Sequence, residues 1–235
     1  MKHVAAGAAA AWAIAACLLA TAAATSNYSY RKNEYRVVQD GYAPNRRYSI
    51  AAHGGGELGY DNFRLYLMAE PRHRRVAPLE GIGPDVLDTG ADAYRAAWSA
   101  DSRHVALHYR IDRHQGMVSL FAIRNGRTAP VSGPDPLRAV MKRATSADDE
   151  ARAGTEALTW LGRTRFVLKD TRLFKTRTTA LADALGRFGK SEPREPDQSE
   201  PSAWYLVRFS AEAVCDLVSD GKYAIVQLKP GRFDE

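Results

Sequence analysis

Along residues 104–111 the odd positions Val105, Leu107, Tyr109 and Ile111 are apolar, while His104, His108 and Arg110 alternate with them. A period of two rich in β-branched and aromatic residues predicts a strand with one buried and one polar face, and Ala106 lies within it. Ahead of it, Ser99-Ala100-Asp101-Ser102 has turn composition, and Tyr94 to Trp98 reads as the preceding strand. Phe63 to Ala69, Met117 to Ile123 and Trp204 to Phe209 are apolar with few surface positions, which predicts strands covered on both faces. Asn125-Gly126 between strands is a strong two-residue hairpin signal, and Asp220-Gly221 repeats it. Two segments change period. Pro136 to Ala144, with Asp135 as N-cap and Leu137, Val140 and Met141 at helical spacing, predicts a short helix. Thr179 to Phe188, with Leu181, Leu185 and Phe188 on one stripe, predicts another. Residues 189–202, GKSEPREPDQSEPS, carry no apolar residue and several prolines, which predicts a mobile surface loop.

The phrase at Trp98 recurs in weaker form. Residues 43–51 are APNRRYSIA, 160–168 are WLGRTRFVL and 218–226 are VSDGKYAIV. The basic residues that open each strand, Arg47, Arg103, Arg165 and Lys222, are spaced by 56, 62 and 57 residues. A period of this size predicts a repeat of small antiparallel sheet units.

The stretch Trp98-Ser99-Ala100-Asp101-Ser102-Arg103-His104-Val105-Ala106-Leu107 resembles the Trp-Ser-Pro-Asp-Gly-Lys phrase of TolB-type β-propeller blades. Ala100 stands where proline is usual and Ser102 where glycine is usual. Ser219-Asp220-Gly221-Lys222 keeps the Asp-Gly pair without the tryptophan. The resemblance implies a mainly β fold, a propeller-like repeat of about four degenerate units decorated by two short helices. Proteins of that family commonly bind other proteins in the periplasm, but none of their binding residues maps onto a matching position here. Blades commonly take about 40–45 residues, so units nearly 60 long imply insertions. The alternative architecture is a single β-sandwich-like meander.

The N-terminus adds a compartment. Lys2 precedes an uncharged apolar run from Val4 to Ala24 that ends in Ala22-Ala23-Ala24, the pattern of a secretory signal peptide. It predicts an exported, periplasmic or secreted chain that begins near Thr25, with residues 25–235 as one domain. Two membrane-anchored alternatives share this segment, a retained anchor and lipidation of Cys17 in the lipobox-like Ile14-Ala15-Ala16-Cys17. With Cys17 removed, Cys215 stands alone in the apolar AVCDLV, and a buried inert thiol is expected rather than a disulfide. The net charge of +6, carried by 25 arginines and 8 lysines against 27 acids, favours anionic neighbours. Export and the lack of an aromatic-basic stacking pattern argue against nucleic acid.

Several motifs invite chemistry. His53-Gly54-Gly55-Gly56 resembles an esterase oxyanion-hole motif, but the chain has no Gly-x-Ser-x-Gly elbow to go with it. The run from Ala184 to Ser191 fits a relaxed phosphate loop in reversed context, since it ends a helix instead of opening one. His104, His108, Asp112 and His114 could suggest a metal, yet on a strand His104 and His108 lie roughly 13 Å apart, so a solvated face is expected. Asp85, Asp88 and Asp92 lack the alternating spacing of a calcium loop. Arg72-His73-Arg74-Arg75 is the densest positive cluster and reads as a hairpin tip.

These readings converge on an exported binding or scaffold module without a cofactor. It would recognise an envelope protein or an anionic polymer through its loops, with Arg72, Arg74 and Arg75 as the candidate contacts and no catalytic or metal residue assigned. The rival is a periplasmic hydrolase of an anionic glycan or ester, which would need acids such as Asp61, Asp85 or Asp112 to converge.

Overall fold

The computed structural model describes residues 25–55, 62–82, 86–141, 145–146, 149–196, 201–219 and 221–233. The apolar leader, Cys17, Gly56, Asp61 and Asp85 lie outside the described residues. So do parts of the segment 136–144 and of the loop 189–202. Among the described residues no helix is long and apolar enough to cross a membrane.

The chain is mainly β, and its thirteen described strands form one open mixed sheet. Pairing divides them into three antiparallel meanders. The first contains β1 (Arg36–Tyr42), β2 (Tyr48–His53), β3 (Arg64–Ala69) and β4 (Arg74–Pro78). The second contains β5 (Arg95–Trp98), β6 (His104–Arg110), β7 (Gln115–Arg124) and β8 (Arg127–Val131). A short helix α1 (Pro136–Val140) leads to the third, which begins with β9 (Glu150–Trp160) and β10 (Arg165–Thr176). Helix α2 (Ala180–Leu185) and β11 (Gly189–Arg194) follow, and β12 (Trp204–Ser219) and β13 (Lys222–Pro230) complete it. Brief parallel contacts join the meanders: Gln39 of β1 beside Arg95 of β5, Gln115–Gly116 of β7 beside Gly154–Thr155 of β9, and Ser132 after β8 beside Lys222 of β13.

Local signals account for the turns. Asn125 and Gly126 both take positive φ, 47° and 74°, as a two-residue hairpin with right-handed twist requires. Asp135 caps α1 by accepting from the Arg138 amide at 3.0 Å. The first two meanders also share one turn design. Ala43 N donates to Tyr48 O and Ser99 N to His104 O, both at 2.9 Å, and the matching residues Arg46 and Ser102 have φ of 56° and 61°. The two turns touch where Asn45 N donates to Ser102 Oγ at 3.1 Å.

Three of the four spaced basic residues fall at equivalent places in the meanders. Arg47 and Arg103 directly precede β2 and β6, and Arg165 opens β10, each the second strand of its meander. Lys222 opens β13, the last strand of the third meander, so the fourth anchor lies inside the third unit. A tryptophan ends the first strand in two of the units. The Trp98 indole N–H donates to Gly41 O at 3.2 Å, and that of Trp160 to Ala97 O at 2.9 Å. Each ties its own first strand to the first strand of the unit before it.

Packing follows the same division. Val38, Ile50, Leu65 and Leu67 of the first meander meet Val105, Leu107, Phe121 and Ile123 of the second. Ala106, Leu120 and Ala122, on the opposite face of the second, meet Leu158, Phe166, Leu168, Ala213 and Cys215 of the third. Helices α1 and α2 cover the upper part of the third through Leu137, Leu181, Leu185, Phe174, Val207 and Phe209.

Three expectations change. The polar face of β6 is not solvated: His104 is only 8% exposed and His108 half-buried, because the third meander packs there. Residues 189–194 are not a loop but strand β11, paired with β12 from Gly189–Phe209 to Arg194–Trp204. Proline is tolerated in it because β11 is an edge strand. Finally, the helix expected over 136–144 ends at Val140.

Candidate functional site

The Arg72–Arg75 segment is the tip and outgoing arm of the β3–β4 hairpin, and Arg72, Arg74 and Arg75 are all exposed. Its base is held by His73, a residue with φ of 46°. His73 Nδ1 lies 2.9 Å from Glu70 Oε1, and Nε2 lies 3.1 Å from Tyr35 O. Burial opposes ionisation of Glu70, but hydrogen bonds from Ser49 and His73 hold its carboxyl below the usual range. Arg75 packs over the Tyr66 ring, 5.5 Å from its centroid, and its Nη1 reaches Tyr35 Oη at 3.4 Å. None of the three arginines pairs with a carboxylate among the described residues. The result is three guanidinium groups on a fixed scaffold, suited to bidentate contacts with carboxylate, phosphate or sulfate.

A second feature lies between the second and third meanders. An open cleft of about 560 Å³ is lined by β1, β5, β6, β7 and β9, with Asp40, Arg95, His108, Arg110, Met117 and Glu156 on its walls. Arg95 Nε pairs with Asp40 at 3.1 Å. Arg110 binds Asp88 through Nε and Nη2 at 2.9–3.1 Å, and Asp88 also accepts the Ser26 amide at 2.7 Å. Burial lowers the pKa of His108, and nearby Arg95 lowers it further.

Above this cleft, one guanidinium gathers three carboxylates. Arg172 Nη2 lies 2.7 Å from Asp135, 2.8 Å from the fully buried Asp170 and 3.9 Å from Glu156. Burial raises the carboxyl pKa of both Glu156 and Asp170; the Val118 amide opposes this at Glu156, and Arg172 opposes it at Asp170. Burial also opposes ionisation of Asp135, yet Arg172 and the Arg138 amide bring it below the usual range. The cluster fastens the start of α1 to the middle of the third meander. The sequence signal that could have found it is a pair of charges placed on an otherwise apolar strand face. Phe166, Leu168 and Phe174 share one face of β10, and Asp170 and Arg172 occupy the in-phase positions between them. The sequence reading assigned Asp135 only as a cap and missed the other three.

The tempting motifs resolve into structural roles. His53 stacks on Tyr35 at 4.3 Å, and its Nδ1 lies 2.6 Å from Glu34 O. Gly54, at φ 117°, passes so close to the Asn62 backbone that any side chain would collide with it. The 184–191 run ends α2 and enters β11, so no helix N-terminus follows it. Asp112 accepts the His114 amide inside the β6–β7 turn, and Asp92 accepts the Ser26 hydroxyl. Cys215 is fully buried, and burial raises its thiol pKa to about 12, as an inert core cysteine requires.

Comparisons with protein-family models, curated proteins and solved structures found no match.

Proposed function

We propose that the chain is an exported, periplasmic binding module whose three meanders act as propeller-like units of the TolB type. In this reading the stacked units form a rigid frame, and Arg72, Arg74 and Arg75 present a cationic surface to an envelope protein or an anionic polymer. The observation that carries the reading is the hairpin itself, three exposed arginines with no carboxylate partner among the described residues, on a base fixed by His73, Glu70 and Tyr35. A rigid base limits the conformational entropy lost on association, so more of the interaction energy appears as affinity. The test is fluorescence anisotropy with labelled alginate and poly-glutamate across a salt series. Wild type binds, with affinity that falls as salt rises. Arg72→Ala/Arg74→Ala/Arg75→Ala loses that salt-sensitive binding while its unfolding transition stays in place, because exposed charges contribute little stability. Unchanged binding by the triple variant removes the hairpin from the reading.

A second reading, hydrolysis of an anionic glycan or ester, draws on one observation, the half-buried Glu156 carboxyl in the cleft wall, whose raised pKa suits a general acid. Turnover of a chromogenic ester or glycoside that Glu156→Gln abolishes would establish it.

A further inference from the structure

A separate cationic site lies on the outer face of the third meander. Lys190 of β11 stands directly opposite Arg208 of β12. Like charges in that position repel, so the pairing is unfavourable without an anion between them. Arg194 lies on the same face as Lys190, two alternations along β11. Among the described residues the one carboxylate beside these three cations is Glu192, whose Oε2 lies 2.9 Å from Arg194 Nη2 and whose Oε1 lies 3.4 Å from Arg208 Nε and 3.9 Å from Lys190 Nζ. Three positive charges thus share one negative charge. Arg208 Nε is shielded from water, yet its approach to Glu192 lacks hydrogen-bond geometry, so the N–H has no acceptor. Leaving such a donor unsatisfied is unfavourable. Beside it lies a cavity of about 220 Å³, with Arg208, Arg232, Thr171, Ser210, Leu173 and Phe233 on its walls. The far wall is the tail of the described chain, pinned where the Ser210 hydroxyl donates to Arg232 O at 2.9 Å.

We propose that Lys190, Arg194 and Arg208 form a binding site for a compact oxyanion, a phosphate or sulfate group, and that Glu192 acts as its internal competitor. An oxyanion there supplies the acceptor that Arg208 Nε lacks and relieves the Lys190–Arg208 repulsion. The apolar walls at Leu173 and Phe233 leave room for a small organic substituent. Glu192 holds the cations in place when no ligand is bound and lowers affinity by occupying the same donors. The site shares no residue with the Arg72–Arg75 hairpin, so the two stand or fall separately.

The test is isothermal titration of the purified chain with inorganic phosphate at low ionic strength. Wild type binds phosphate, and Glu192→Gln binds it about tenfold more tightly, the gain expected from removing one competing charge at contact distance. Lys190→Gln/Arg208→Gln loses binding, and Arg208→Lys, which keeps the charge but not the planar fork, restores only part of it. Arg72→Ala/Arg74→Ala/Arg75→Ala binds phosphate as wild type does. Thermal melts confirm that each variant is folded before titration. Sedimentation with phosphatidylglycerol vesicles, set against phosphatidylcholine vesicles, identifies the source: co-sedimentation assigns a lipid headgroup, and phosphate binding without it assigns a soluble phosphate. No binding by Glu192→Gln, or equal binding by Lys190→Gln/Arg208→Gln, overturns the proposal.

Discussion

The two interfaces of the middle meander are built from opposite faces of the same strands. Towards the first meander, β6 and β7 send Val105, Leu107, Tyr109, Phe121 and Ile123 into a core that also holds Ile50, Phe63, Leu65, Leu67 and Tyr94. Its aromatic rings stack in series, Phe63 on Tyr94 at 5.5 Å and Tyr94 on Tyr109 at 6.1 Å. Towards the third meander the same strands offer Ala106, Leu120 and Ala122, with His104 and His108 among them. Small and ionisable side chains fill less of the space between sheets, and the open cleft lies on this side. One interface is therefore a packed core, and the other combines packing with polar chemistry. Dense packing and buried polar groups thus lie on different faces of one sheet.

The largest expected effects come from breaking this contrast at adjacent residues. Phe121→Ala, in the packed interface, is expected to cost about 3–5 kcal/mol in urea denaturation. Leu120→Ala, one residue away on the opposite face, is expected to cost about 2 kcal/mol, the lower end for such truncations, because its surroundings already adjoin open space. An equal or larger loss for Leu120→Ala would mean that both interfaces are packed alike.

The buried charges of the second interface give the next largest effect. Arg172→Met leaves Asp170 fully buried without its guanidinium, at an expected cost of about 3 kcal/mol at neutral pH. Burial already raises the Asp170 carboxyl pKa, and losing Arg172 raises it further. A carboxyl with a raised folded pKa gains stability as pH falls through that value, so the deficit of Arg172→Met narrows on acidification. Urea titrations at pH 7.5 and 5 measure it. A deficit independent of pH would show that Arg172 acts through packing alone.

The difference between the interfaces also marks where the sequence was readable. The alternation in 104–111, the Asn125-Gly126 turn and the Asp135 cap are local signals, and the structure holds a strand over His104–Arg110, the turn and the cap at these places. The position of Lys222 is not local. A turn followed by a basic residue opens any strand of a meander, and only pairing with β12 makes β13 the last strand of the third unit. His104 and His108 read as a solvated face because their cover comes from Leu158, Trp160 and Phe166, more than 40 residues away in the chain. The 189–194 segment failed for a related reason. Its composition argues against a strand, but an edge position needs hydrogen bonding on one side only, and Pro193 and the charged residues are accommodated there. Of the candidate site, the arginine hairpin was legible as a charge cluster on a turn. The Arg172 cluster was not, because its members come from α1, β9 and β10.

Trp98 and Trp160 sharpen the comparison with a smaller effect, since each supplies one indole bond at one interface. Phenylalanine at either position keeps most of the ring and removes the N–H donor. Each substitution is expected to cost about 1 kcal/mol, the usual net value of a hydrogen bond. The two sites lie at different interfaces, so the double variant should show the sum of the single losses. A double variant that loses much more would mean that the two interfaces open together.

The smallest effect is a pH dependence confined to the second interface. His104 is buried against Trp160, with ring centroids 6.0 Å apart, and its Nδ1 has no hydrogen-bond partner. Burial lowers its pKa below the ordinary value; Asp101 opposes that shift, and Arg124 and Arg103 reinforce it. His108 on the same face is lowered likewise by burial and by Arg95. Within the window between the folded value and about 6.5, the unfolded chain binds more protons than the folded chain. Stability is therefore complete above about pH 6.5 and declines as pH falls through the folded value. Glu156 and Asp170, whose pKa values are raised, act in the opposite direction and offset part of the loss. The melting temperature of wild type should fall between pH 7.5 and 5.5, and His104→Phe, which keeps an aromatic ring beside Trp160, should fall less. The decline has a structural signature too. Hydrogen exchange should quicken first at the amides of β9, whose Trp160 packs against His104, while those around Phe63 and Tyr94 in the packed interface stay protected. If exchange quickened equally on both sides of the middle meander, acid would be loosening the fold as a whole, and the two interfaces would not differ in the way their side chains imply.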